Sequence, residues 1–152
     1  EGEGDALFYG NTLVIGYGQR TAIESHAEIQ KLLGVNTLSL ELIDPRFYHL
    51  DTCFAPLGDA AIYFPEAFSR ASCEAIQALV PKDKLVALSY KEAEDFAANC
   101  FLIDDVVVSS CALKSFENKL MGIGFESDHF ELDEFMKAGG SAKCLTLKLD
   151  NP

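Results

Sequence analysis

From Thr12 to Leu149 the sequence alternates short apolar runs of strand length with amphipathic stretches of helical period, and this alternation constrains the fold more than any other feature. Thr12–Gly16 is an apolar run ending in glycine. Thr21-Ala-Ile-Glu24 has the spacing of a capping box and predicts a helix to about Leu33, closed by Gly34. Thr37–Ile43 alternates Leu38, Leu40 and Leu42 with polar neighbours, as a half-buried strand does. Ala60–Phe64 predicts a strand, and Pro65 precedes a helix that runs to about Val80 and stops at Pro81. Lys84–Leu88 predicts a strand. Ser89-Tyr-Lys-Glu92 is a second capping box, opening a helix to about Ala98. Cys100–Ile103 and Val106–Ser109 predict a hairpin around Asp104-Asp105, Lys114–Ile123 a helix, and Phe125–Leu132 an extended segment. Asp133–Ala138 predicts a short helical turn broken by Gly139-Gly140, and Cys144–Leu149 a last strand.

Strand, helix and strand thus recur about three times, which implies an α/β fold. Periodicity leaves open whether the units form one sheet or a ring of small sheets. No linker or low-complexity stretch divides residues 1–152, which read as a single domain portion. The opening Glu1-Gly-Glu-Gly-Asp5 suits a tight turn inside a fold, and the expectation is that an N-terminal portion precedes it.

The net charge is −12, from 24 acidic and 12 basic residues spread along the chain. Nucleic acid and anionic membranes need clustered Lys and Arg, so neither is an expected partner. Small cations suit such a surface. No apolar run approaches the length of a bilayer span, and the acidic opening is unlike a signal peptide. Five cysteines without a CxxC pair argue against a disulfide framework or structural zinc, and a reducing cytoplasm is expected.

Cys144 follows Gly139-Gly140-Ser-Ala-Lys143, where glycines let backbone approach a ligand and Lys143 favours a thiolate. It reads equally as a small apolar residue opening a buried strand. His49 and Asp51, two apart in a segment read as extended, share one face, which suits an acid/base pair beside a cation or an ordinary surface pair. Arg20, in Gly16-Tyr-Gly-Gln-Arg20-Thr21, has the position of a carboxylate clamp or of an exposed Arg. That segment lacks the glycine spacing of dinucleotide and phosphate-binding loops. His26 is expected in solvent, His129 is a weaker candidate than His49, and Asn99, Cys73, Cys100 and Cys111 read as structural. Without a His/Cys cluster, no metal site is expected.

Taken together, His49-Leu-Asp51-Thr-Cys-Phe54 and Lys137-Ala-Gly-Gly140-Ser-Ala-Lys-Cys144-Leu-Thr-Leu147 resemble motifs of the amidinotransferase and dimethylarginine dimethylaminohydrolase superfamily. Glu1-Gly-Glu-Gly-Asp5 resembles its acidic glycine-rich motif, and Gly16–Thr21 the turn that follows. The resemblance covers the whole chain and about the C-terminal half of a typical member. It implies the pentein fold, a five-bladed α/β propeller with the active site on its axis, of which about three blades are present here. It also implies a hydrolase acting on the guanidine group of arginine or a related compound, with no cofactor. Cys144 matches the nucleophile and His49 the general acid/base. Glu1 matches the catalytic acidic residue of the first motif, with Glu3 as its fallback because the motif is one residue longer than the common Glu-Gly-Gly-Asp form. Asp51 matches the carboxylate that grips guanidinium, Arg20 an arginine that holds the substrate carboxylate, and Asp5 the acidic end of the first motif. Transfer of the amidino group to an amine, and a non-catalytic binding module, are the alternative readings. A three-blade piece would expose apolar faces, which points to homo-oligomer formation.

Overall fold

In the computed structural model, residues 2–147 and 149 are described, and they build three three-stranded sheets, each made by the same succession of elements. In the first, β1 (Ala6–Tyr9) pairs antiparallel with β2 (Thr12–Tyr17), α1 (Glu24–Leu33) crosses over, and β3 (Asn36–Glu41) pairs parallel with β2. The second repeats this with β4 (Phe54–Leu57), β5 (Ala60–Tyr63), α2 (Arg70–Leu79) and β6 (Leu85–Ala87). A short helix, α3 (Tyr90–Glu94), leads to the third, made of β7 (Phe101–Ile103), β8 (Val106–Ser109), α4 (Lys114–Gly122) and β9 (Glu126–His129). A last helical turn, α5 (Asp133–Met136), follows. The order in every sheet is hairpin first, crossover second, with the middle strand shared.

The three hairpins share one turn chemistry. Two residues link the strands in each case (Gly10-Asn11, Gly58-Asp59 and Asp104-Asp105), and the first has φ of 55°, 65° and 51° respectively. Positive φ at this place matches the twist of the flanking strands, and Gly and Asp tolerate it best.

The middle sheet lies deepest. Every residue of β5 is buried, as are Phe54, Ala55 and Leu57 of β4. One hydrophobic cluster runs from Val14 and Leu40 of the first unit through these strands to Val107, Phe116 and Leu120 of the third. A bridge between Leu42 and Phe68 ties the end of the first unit to the second.

Several local expectations are corrected. β1 and β4 are present where the sequence pattern marked no element. The Thr21…Glu24 capping box does not form: α1 begins at Glu24 with Ile23 as its N-cap, without a side-chain bond, so Thr21 stands two residues before the cap, where its hydroxyl donates to Asp5 Oδ2 at 2.6 Å. Pro65 opens a 3-10 turn, and α2 begins after Ser69, whose hydroxyl accepts from the Ser72 N–H. The box at Ser89 and Glu92 forms as expected, but α3 ends at Glu94, before Phe96 with φ 56°. Cys144 lies in a 3-10 turn, Lys143–Leu145, and not at the start of a strand. His26 is buried against Ser39, not solvated.

Candidate active site

The candidate residues sit on connections between the sheets or at strand ends, where the backbone leaves the repeating pattern. After β3 the chain passes through Tyr48 and His49 into a 3-10 turn, Leu50–Thr52, that carries Asp51. This turn corrects the extended reading of His49 and Asp51: the imidazole is half-buried at its entrance and Asp51 is buried within it, 5% exposed. The turn is anchored from below by Asp5. Asp5 is buried, its Oδ1 accepts from the Leu50 N–H at 2.9 Å, and its Oδ2 accepts from Thr21. Asp5 therefore braces the site from behind.

Cys144 reaches this turn from the other end of the chain. Its Sγ lies 3.7 Å from Asp51 Oδ2, although 93 residues separate them. The other oxygen, Asp51 Oδ1, is buried and has no hydrogen-bond partner among the described residues. Burial lifts the Asp51 carboxyl to about 6, against the opposing positive charges of His49 and Lys143. Burial, followed by the charge of Asp51, also pushes the Cys144 thiol above its ordinary value, while a hydrogen bond from Asn99 pulls it down. Cys144 is the exposed one of the five free cysteines, whereas Cys53, Cys100 and Cys111 are buried.

The two glycines before Cys144 have separate reasons. Gly139 has φ 90°, and a Cβ there would stand 2.7 Å from the Tyr48 hydroxyl. A Cβ on Gly140 would stand 2.9 Å from the Cys144 Cβ. Tyr48 Oη donates to the Gly139 carbonyl at 2.8 Å, its ring lies 4.7 Å from the His49 ring, and the Arg20 guanidinium lies 5.8 Å from its centroid. Tyr48 thus places Arg20, His49 and the cysteine loop around a single phenol.

Glu3, on the turn Gly2–Gly4, meets the site through Lys143, whose Nζ lies 2.5 Å from Glu3 Oε1. Gly4 packs under His49: a Cβ there would be 3.1 Å from Nδ1. Glu1 lies outside the described residues. The structure thus brings together Cys144, Asp51, His49, Arg20, Asp5 and, through Lys143, Glu3. His129 stays apart on β9, exposed, and His26 belongs to the contact of α1 with β3. Among the described residues no group of three or more His, Cys, Asp or Glu side chains is placed to hold a metal ion.

Sequence reasoning passed over Tyr48 and read Asn99 as structural, without its place beside Cys144. Asn99 is fully buried, and its carboxamide contacts both the sulfur and the backbone of the cysteine loop. Nothing local marks it. The aromatic between Phe47 and His49 was a weak signal for Tyr48.

No protein-family model matches the chain. Among characterised proteins, it is 43% identical over 155 residues to the bifunctional arginine dihydrolase/ornithine cyclodeaminase ArgZ of Synechocystis, a match covering 100% of this chain and 22% of that protein. It is 45% identical over 150 residues to the N(G),N(G)-dimethylarginine dimethylaminohydrolase of Mycobacterium tuberculosis, covering 98% of this chain and 49% of that enzyme. A crystal structure of the N-terminal domain of cyanobacterial ArgZ, covalently bound to a reaction intermediate, matches with a TM-score of 0.94 at 43% identity, over 97% of this chain and 55% of that one. The chain therefore spans about half or less of the length of these relatives.

Proposed function

We propose, for a chain that belongs to the amidinotransferase and dimethylarginine dimethylaminohydrolase superfamily, that it carries the nucleophile and the general acid/base of a hydrolase acting on the guanidine group of arginine or a related compound. The observation that carries this reading is the buried Asp51 carboxylate, with one oxygen unpartnered among the described residues and the other 3.7 Å from the Cys144 sulfur. A desolvated carboxylate with a free acceptor calls for a cation that donates N–H bonds, and a planar guanidinium does so in a fixed geometry. Bound there, its carbon lies beside the thiol.

A guanidinium carbon is a poor electrophile, because its charge is spread over three nitrogens. Holding it against Asp51 removes the positional cost of attack. The Cys144 thiolate adds to the carbon and a tetrahedral adduct forms. His49 gives a proton to the departing nitrogen, which leaves as ammonia or an amine, and a thiouronium remains on sulfur. His49 then takes a proton from water, the hydroxide adds, and collapse releases the Cys144 thiolate and a ureido product of the citrulline kind, the hydroxyl proton passing to solvent or to the departed ammonia or amine. Arg20 is assigned to the substrate carboxylate, Glu1 to charge stabilisation at the reacting carbon, and Glu3 to holding Lys143. Asp5 is assigned to bracing the Asp51 turn, since its oxygens are engaged by Thr21 and Leu50. The relatives support hydrolysis over amidino transfer, as both are named for hydrolytic reactions.

We assign the three ββαβ units to three blades of a five-bladed propeller within one catalytic domain portion, the remaining blades and a further substrate ligand coming from an N-terminal portion. Its hallmark here is the recurrence of one strand order in all three sheets.

The test is intact-protein mass spectrometry after acid quench with arginine, methylated arginines and agmatine, using Cys144→Ser as control. An adduct on wild type alone, with release of ammonia or amine, supports the reading. Absence of any adduct, with the N-terminal portion also supplied, overturns it.

A further inference from the structure

We propose that Asn99 is a positioning residue for the nucleophile, a single carboxamide that holds the Cys144 sulfur with its amino group and the backbone of the cysteine loop with its carbonyl oxygen. The inference rests on the reading of Cys144 as nucleophile. Asn99 lies between α3 and β7 and is fully buried. Its Oδ1 accepts from the Ser141 N–H at 2.8 Å and the Cys144 N–H at 3.3 Å. Its Nδ2 donates to the Asp51 carbonyl and to Cys144 Sγ, both at 3.2 Å. Its own backbone carbonyl accepts from the Lys143 N–H at 3.1 Å.

These partners settle which way the amide points. Two backbone N–H groups face one end of the carboxamide, and only an oxygen can accept from them. The amino group must then face the sulfur. Asn99 thus joins three elements that are far apart in sequence: the Asp51 turn, its own connection, and the loop from Ser141 to Cys144.

The chemistry follows from the direction of the bond. A donor aimed at sulfur stabilises the thiolate more than the thiol, because the thiolate carries the full charge. That charge is present before attack and returns when the thiouronium collapses. Asp51 acts in the opposite sense on the same sulfur, as an anion 3.7 Å away. The other charges facing the site are Lys143 beside Cys144, with Glu3 paired to it, and His49 and Asp5, which act on Asp51. Asn99 is the neutral donor that offsets Asp51 without filling the acceptor the substrate needs.

The test follows Cys144 alkylation by iodoacetamide from neutral to alkaline pH on the intact protein, read at the Cys144 peptide, with Tm measured in parallel. Asn99→Ala removes the donor and adds no charge. It is expected to raise the pH midpoint by about one unit, roughly tenfold less thiolate at neutral pH. Asn99→Asp, which keeps an oxygen for the loop and loses the amino donor, is expected to raise it further because it also brings a negative charge, and is read where the alanine variant does not fold. A changed Tm or plateau rate with an unmoved midpoint overturns the proposal and leaves Asn99 a loop clamp. The wild-type guanidine adduct is scored separately. A moved midpoint without an adduct, the N-terminal portion also supplied, upholds the hold of Asn99 on the sulfur and sinks the catalytic reading; an adduct with an unmoved midpoint does the reverse.

Discussion

Asp51 Oδ2 lies 3.7 Å from Cys144 Sγ, while Oδ1 of the same carboxylate is buried without a partner among the described residues. A polar group left in that state weakens the fold, and it persists where a ligand completes it.

The first prediction concerns stability. The Asp51 carboxyl titrates at about 6 when folded, against an ordinary 3.8. The folded state therefore binds the proton more tightly. The stability this site contributes is complete below the ordinary value and is lost as pH rises through about 6. Asp51→Asn removes that loss. It is expected to stabilise the protein at pH 8 by about 2–3 kcal/mol, a rise of several degrees in Tm, and to abolish the guanidine adduct. The gain should vanish in acid. Thermal melts of both proteins across pH check this, and equal melting at pH 8 would contradict it.

The second concerns the thiol. Burial and the Asp51 charge hold the Cys144 thiol above its ordinary value. In the free protein its alkylation midpoint is expected above that of an unperturbed thiol. Asp51→Asn should bring it down, because the anion beside sulfur is gone. An unmoved or higher midpoint in this variant would show that Asp51 does not act on the sulfur.

A third follows from Gly139. Its φ of 90° and its closeness to the Tyr48 hydroxyl leave no room for a side chain. Gly139→Ala is expected to destabilise by about 1–3 kcal/mol and to slow Cys144 alkylation, since relief of the clash must shift the cysteine loop. Tyr48→Phe in the same background removes the hydroxyl and should restore part of both. No rescue would place the strain in the backbone alone.

A fourth separates charge from structure at Lys143. Its Nζ is 2.5 Å from Glu3 Oε1, with 53% of the Glu3 side chain exposed. With Glu3 half in water, though Lys143 is only 17% exposed, the pair contributes little to stability. Glu3→Gln is expected to change Tm by a degree or less. Lys143→Met should raise the Asp51 titration further, since it removes a charge that lowers it. NMR titration of the Asp51 carboxyl checks this, and a downward shift would contradict it.

The α/β class, the limits of β2, β5 and α4, the place of β3 and the end of α1 were legible because their signals are local: apolar period, breakers and the glycine after α1. The hairpins of the first two units, marked by Gly10-Asn11 and Gly58-Asp59, were not expected from the sequence, and in β4 the interior Pro56 argues locally against a strand. The box at Thr21 did not form because the helix begins only at Glu24, while Thr21 is tied to buried Asp5, 16 residues away.

By itself, the sequence determined the repeating units, the turn residues, and which side chains had the chemistry for a thiol-dependent reaction on a cation. Only the tertiary structure decided that Asp51 is buried beside Cys144 across 93 residues, that Asn99 bridges them, and that Asp5 stands behind them. The reason is physical. Period, turns and caps depend on a few neighbours in sequence. Desolvation, and the pairing of buried polar groups, depend on how whole units pack.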